Sequence, residues 1–567
     1  MNTINKLLLI IAVIPFMMSC EDFLDRPPLD EIGEGSYWKT AIDLENYIVK
    51  YYAKFPTSRG DVFRIPYYFE SFSDNMTQGR TPKPILDGNV QPNTGSWTGD
   101  WWDIRGINIF FENYLKCEDP FVEYKHTLGE AYFFKAWFYF QLVEKYGDVP
   151  WYTNSISPDQ DDFLLKPRDP RTLVVDSILN LLDKATEYLD SHAQSTHGNN
   201  GLTKEAALAF KSRVALFEGT WQKYHSGTPF ATEGTDYNKY FSESVQAAEE
   251  LMNGNYRAGI YNTGNPAEDF HNLFILGNHS STTEVLFYRA FSIPIGHATS
   301  VNRYATIIPE NYGVTWELVS SYLGRDGKPY DYLNLAAQAQ GNDFLSTIGE
   351  EVDPRLRSVI WIPGQLVFES PEYIFEKPQL EQCPTGFQPR MYARADISAT
   401  DPDDSGFIIF RFGEVLLNYA EAKYELDGTV AYDQLNLLRA RAGMPEFSVN
   451  SQDSDPNKVD YGYPISDELY EIRRERRVET AIQNFRKMDW QRWAAHALFK
   501  GKRFKGYPFK ESEFPDYPAE LDENGLLDFQ KSVLPDGLRF RPERDYLESI
   551  PQSEIVLNPN LTQNPGW

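Results

Sequence analysis

The chain has 567 residues, and 82 Asp plus Glu against 54 Lys plus Arg give it a formal net charge of -28. So acidic a surface repels nucleic acid and anionic membrane surfaces instead of attracting them, which argues against nucleic-acid partners. Aromatics reach 15%, enough to fill cores and also to offer flat apolar faces to ligands such as sugar rings, while three cysteines are too few for a disulfide framework. Whether Cys117 and Cys383 pair is left open by the sequence.

In chain order, Lys6 is followed by an apolar run from Leu7 to Met18 and then by Ser19, Cys20, Glu21 and Asp22. A spanning helix needs roughly 20 apolar residues, and this run is shorter. It reads as a signal peptide, residues 1–19, of the lipoprotein type, in which cleavage before Cys20 frees a thiol for acylation. An ordinary secretory site also prefers a small residue at the minus-three position, and Met17 stands there. The longest later apolar run, from Ala131 to Val143, is interrupted by Lys135 and Gln141. Lipid on Cys20 is therefore the expected anchor.

Apolar periodicity predicts helices over 38–53, 104–115, 128–146, 173–189, 203–221, 237–252, 411–426, 432–442 and 467–493. The third is aromatic nearly all round, hence buried, and ends at Gly147. Gly428 and Gly443 follow the ends of two others, where left-handed caps are expected. Small residues in the segments 203–209 and 414–422 let neighbouring helices approach closely, as tetratricopeptide hairpins do, although no strict period of about 34 residues is present. Stretches 56–103, 224–389 and 501–545 are loop-rich, with a β-like run at 284–288. Without Pro/Gly/Ser-rich linkers, residues 20–567 read as one continuous body, a helical-repeat scaffold whose long excursions carry function.

Some candidate chemistry has a plainer reading. Glu414 and Glu421 share a helical face with Asn418 and Glu425, which suggests a glycosidase-type carboxylate pair. Seven residues of helix separate their backbones by roughly 10 Å, beyond the usual carboxylate spacing of about 5 to 9.5 Å, so an exposed polar stripe is expected. Asp401, Asp403, Ser405 and Gly406 mimic the first half of a calcium loop, but position 12 is Phe412, which favours a turn. No His-x-x-x-His spacing supports zinc, and no metal or cofactor is expected. Arg473, Arg474, Arg476 and Arg477 lie within helical reach of Glu468, Glu471 and Glu479, so a local ion-pair lattice is expected ahead of polyanion binding.

Eight blocks recur in a recognisable order. They are Cys20-Glu-Asp-Phe-Leu-Asp25, the long helix and turn from Gly129 to Pro150, Thr203-Lys-Glu-Ala-Ala-Leu-Ala, Asp353-Pro-Arg-Leu356, the stretch from Arg411 to Ala422, Leu438-Arg-Ala-Arg-Ala-Gly443, Glu475-Arg-Arg-Val-Glu479 and Gln563-Asn-Pro-Gly-Trp567. Together they resemble the SusD/RagB surface lipoproteins of Bacteroidota nutrient-uptake systems. Ser549-Ile550-Pro551 departs from the family's usual Pro-Ile-Pro and touches only a local turn. The resemblance implies a mostly α fold, with four tetratricopeptide-like helix pairs and an irregular ligand-binding half. It also implies non-catalytic glycan capture outside the cell, as the lid of a SusC-like TonB-dependent transporter in the outer membrane. A peptide-uptake relative and a surface endo-glycosidase are the alternatives. Family members place ligand contacts in segments comparable to 72–102 and 304–316. The implied sugar-binding set is Asp74, Asn75, Arg80, Trp97, Tyr304, Tyr312 and Trp316, which combines aromatic faces with planar polar groups for paired hydroxyls.

Overall fold

The computed structural model describes residues 37–57, 65–156, 160 and 164–567. The signal peptide and Cys20 lie outside the described residues. Helices of nine or more residues are numbered in chain order. They are α1 (Ala41–Val49), α2 (Thr98–Asn113), α3 (Phe121–Tyr146), α4 (Arg171–Tyr188), α5 (Lys204–Tyr224), α6 (Asn238–Asn253), α7 (Asn342–Glu351), α8 (Phe412–Asp427), α9 (Tyr432–Ala442) and α10 (Asp467–Glu479). Among the described residues six strands form three antiparallel pairs: β1 (Met76–Gln78) with β3 (Tyr312–Val314), β2 (Val285–Arg289) with β6 (Phe407–Arg411), and β4 (Leu366–Glu369) with β5 (Glu372–Ile374). The fold is thus mostly helical, as the periodicity predicts.

Local chemistry sets the helix ends. α1 starts at Ala41, not at 38, because the Thr40 hydroxyl accepts from the Asp43 N–H while the Asp43 carboxylate accepts from the Thr40 N–H. α3 ends at Gly147, whose φ of 73° suits glycine and where a Cβ would stand 2.8 Å from Leu547. Gly428 and Gly443 are left-handed caps at the ends of α8 and α9, as expected.

α3 packs against α4, α4 against α5 and α5 against α6, with α8 lying across α5 and α6. Gly129 permits the first of these contacts, since a Cβ there would meet the Leu189 backbone nitrogen at 2.7 Å. This helical half encloses an aromatic core that includes Phe133, Phe134, Trp137 and Phe140 of α3 with Phe210 of α5 and Phe410 of β6. A second core under the loop-rich half gathers Tyr67, Tyr312, Trp316, Tyr332, Phe344 and Trp361. Cys117 and Cys383 are free thiols, the second of them buried.

The polar stripe on α8 differs from the expectation. Glu414, Asn418 and Glu421 are fully buried, because guanidinium groups meet them from neighbouring elements. Arg213 of α5 donates to Glu414 at 2.6 and 2.7 Å, and Arg492 donates to Glu421 at 2.6 and 2.7 Å. Glu425 accepts from Lys223 and Tyr224. Burial alone would raise the Glu421 carboxyl, but Arg492, Arg476 and Arg473 outweigh it and hold it low.

The arginines of α10 are corrected in the same sense. Among them only Arg474 pairs within the helix, with Glu471 at 3.2 Å. The others reach outward: Arg476 to Asp489, Arg477 to Asp74, and Arg473 toward Glu425, while Glu475 and Glu479 both accept from Arg355. α10 is therefore a buried ionic hub joining the two halves. The expected single helix over 467–493 breaks after Glu479, and a short helix, Arg486–Arg492, resumes beyond left-handed Ile482 and Asn484. Tyr392 donates its hydroxyl to the Ile482 carbonyl and Glu70 accepts from the Asn484 N–H, which holds that break in place. In the Asp401–Gly406 segment Asp403 pairs with Thr299 in an isolated antiparallel bridge, and its carboxylate accepts from the Ser405 N–H and hydroxyl as an Asx turn.

Candidate functional site

The β1–β3 ladder sets Met76 opposite Val314 and Gln78 opposite Tyr312, and so brings the two segments of the expected sugar-binding set together. Their side chains divide by depth. Asp74 is buried, with Arg486 donating to it at 2.6 and 2.8 Å and Arg477 at 3.0 Å. Burial would raise its pKa, but the two guanidiniums outweigh that and hold the carboxyl well below the usual range. Asn75 is equally buried, donating to Glu70 at 2.6 Å and accepting from Arg477 at 2.8 Å. Glu70 is pushed up to about 7 by burial, against which its hydrogen bonds from Asn75 and the backbone act only in part.

Tyr312 is fully buried beside Tyr67. Trp316 opens a short helix capped by the Thr315 hydroxyl and is 8% exposed, its ring packed on Tyr332 and Phe344. In this structure these four side chains belong to packing and to the ionic hub, and they present little surface to a ligand. The reason is tertiary: the 505–530 region and α10 cover segments whose composition reads as loop, as in the bond from the Trp316 N–H to the Lys505 carbonyl. Arg80 and Tyr304 remain half-buried, Arg80 facing Glu520 at 3.5 Å.

Trp97 lies elsewhere, at the start of α2, on a cleft of about 630 Å³. The floor is the outer face of α2, carrying Trp101 and Trp102, and the walls are residues 150–156, the 164–165 stretch and the C-terminal helix Gln552–Leu557. Trp97 is itself 8% exposed, set edge-on to Trp101 at 5.5 Å and to Tyr146 at 5.6 Å. Trp101 meets Tyr152 edge-on at 5.6 Å, and its buried indole N–H has no acceptor among the described residues. Trp102 is 63% exposed. Its neighbours on the cleft include the polar groups of Arg105, Asn154, Ser155 and Glu554.

The walls are fixed from behind. Asn108 of α2 donates to the Asn154 carbonyl at 2.9 Å and accepts from buried Lys135 at 2.6 Å, and burial lowers the lysine to about 8. Tyr139 accepts from the Tyr152 N–H at 2.7 Å. Glu554 accepts from the Ser96 hydroxyl at 2.8 Å and the Trp97 N–H at 3.3 Å, tying the C-terminal helix to the α2 start. The adjacent Trp101 and Trp102 are visible in the sequence. Tyr152, Arg105 and Glu554 carry no comparable signal, because the fold alone brings residues 150–156 and 552–557 to α2. The result is a rigid aromatic surface beside fixed donors and acceptors, an arrangement suited to binding and orienting a ligand.

Fold and cleft together define a mostly helical protein with an open aromatic cleft. Residues 302–567 match the family model described as "SusD family", and residues 22–216 match one described as "Starch-binding associating with outer membrane". SusD-like protein P2 of Formosa agariphila is 22% identical over 98% of each chain. A SusD-like protein of Bacteroides fragilis superposes with a TM-score of 0.72 at 22% identity, covering 96% of this chain and all of that one. A SusD-like carbohydrate-binding protein of the same organism gives 0.72 at 20% identity, covering 93% and 99%. The chain belongs to the SusD-like family. Among the described residues no helix is long and apolar enough to cross a membrane.

Proposed function

We propose that this chain is a non-catalytic surface lipoprotein that captures glycan chains in the tryptophan cleft and passes them to a SusC-like TonB-dependent transporter of the outer membrane. The observation that carries the reading is Trp102, an exposed indole standing on a rigid floor beside Arg105, Asn154 and Glu554. A pyranose presents a C–H face to such a ring and hydroxyl pairs to such planar polar groups. Arg80 and Tyr304, half-buried at the β1–β3 ladder, are the members of the expected set with surface left for a longer chain. Glu414 and Glu421 are engaged by arginines inside the protein, which speaks against their use as a glycosidase pair.

A peptide ligand is the second reading, favoured by Leu164, Leu165 and Leu557, all exposed at the rim of the same cleft. Such aliphatic groups suit apolar peptide side chains better than sugar hydroxyls. Titration of the mature chain, residues 20–567, against a broad panel of polysaccharides and peptides separates the two. Saturable binding of a polysaccharide that emerges uncut supports the proposal. Binding of peptides alone replaces it, and shortened products return the enzyme.

A further inference from the structure

Helix α2 carries four charged residues, and three of them are engaged. Asp100 accepts from Lys145 at 3.0 Å and from Tyr146 at 2.9 Å, Asp103 pairs with Lys54 at 2.9 Å, and Glu112 accepts from the Ser155 N–H at 2.6 Å and hydroxyl at 2.7 Å. Arg105 is the fourth. It is exposed on the lining of the tryptophan cleft and has no hydrogen-bond or ion-pair partner among the described residues. In a chain with 82 acidic against 54 basic side chains a carboxylate is easier to find than a cation, so an arginine left without one is informative.

Position supplies the second observation. Arg105 stands three residues after Trp102, and side chains so spaced on a helix are neighbours, with Cβ atoms about 5–6 Å apart. Trp102 is 63% exposed, so an open indole and an unpaired guanidinium stand side by side on the cleft floor. Glu554, the other charged group on this lining among the described residues, does not neutralise Arg105. It accepts from the Ser96 hydroxyl and the Trp97 N–H, at a point roughly 12 Å of helix axis before Arg105.

At 0.1 M salt, charges more than about 10 Å apart are largely screened, so the group beside the ligand outweighs the net charge of the chain. A guanidinium presents five N–H donors in a planar fork and no acceptor, which matches the paired oxygens of a carboxylate or a sulfate ester better than neutral hydroxyls. We infer that the tryptophan cleft selects acidic polysaccharides, a sugar ring lying on Trp102 while Arg105 holds the ring's carboxylate or sulfate. The inference rests on the reading of the cleft as a glycan site.

Titration of the mature chain against paired polysaccharides tests it: polygalacturonate beside methyl-esterified pectin, and dextran sulfate beside dextran. The expected result is saturable binding of at least one acidic chain, about tenfold or more tighter than its uncharged counterpart. Arg105→Gln should weaken that binding about tenfold or more, and Arg105→Lys, which keeps the charge without the fork, should restore only part of it. Both variants should melt as the wild type does, because the side chain is exposed. The pair that discriminates identifies the group as carboxylate or sulfate. Equal affinity within both pairs, no binding of either acidic chain, or undiminished binding of the acid by Arg105→Gln overturns the inference. Neutral chains bound with full strength by Arg105→Gln and lost in Trp102→Ala would overturn it while leaving the cleft itself in place.

Discussion

Trp102→Ala separates binding from stability more cleanly than any other change in the cleft. A tryptophan side chain buries about 150–250 Å² when fully covered, and Trp102 is 63% exposed, so about 100–150 Å² is open to a ligand. A sugar ring that covers about 60–100 Å² of it contributes about 1.5–2.5 kcal/mol at about 25 cal/mol per Å². The variant should therefore weaken glycan binding about ten- to seventy-fold by calorimetric titration. Because the ring makes little of the core, the melting temperature should stay within experimental scatter of the wild type. Trp316→Ala is the converse. At 8% exposure and packed on Tyr332 and Phe344, its loss should cost about 3–5 kcal/mol in denaturant unfolding. Affinity measured on the folded fraction should hold. Unchanged affinity in Trp102→Ala, together with a tight-binding loss in a normally stable Trp316→Ala, would refute the placement of the site.

Glu421→Ala should destabilise the protein by about 2–4 kcal/mol in urea, since it leaves the Trp493 N–H without its acceptor and the buried Arg492 with Asp489 as its one carboxylate; a loss under about 0.5 kcal/mol would mean that the stripe faces solvent after all. Glu70 has a pKa raised by burial to about 7 from 4.5, so the fold favours its protonated form, and the stability this confers is complete below about pH 4.5 and lost as pH rises through about 7. The stability difference between wild type and Glu70→Gln should therefore shift by about 3 kcal/mol in favour of the wild type on going from alkaline to acidic buffer, and a pH-independent difference would contradict this. Cys20→Ala should abolish acylation and move the protein from the membrane fraction to the soluble fraction; retention of the variant in a strain without the transporter would remove the lipid anchor from the proposal.

Amphipathic periodicity and terminal glycines are local, so the helical scaffold is legible in the sequence alone. The helices around α3, α5 and α8 and the left-handed caps at Gly428 and Gly443 are where the pattern places them. It also carried the family, through blocks whose order survives at low identity. Tertiary structure decided what the polar and aromatic residues between those blocks do. A helical wheel shows Glu414, Asn418 and Glu421 on one face but not the arginines that arrive from α5 and from residues 476 and 492, so a solvated stripe and a buried ionic seam look alike in one dimension. The same holds for Asp74, Asn75, Tyr312 and Trp316, whose loop-like setting gives no sign of the elements folded over them. Trp102 and Trp316 are each followed by an acidic residue, and only the outward face of α2 leaves Trp102 open. Burial of a side chain depends on segments hundreds of residues away, and no local pattern encodes that.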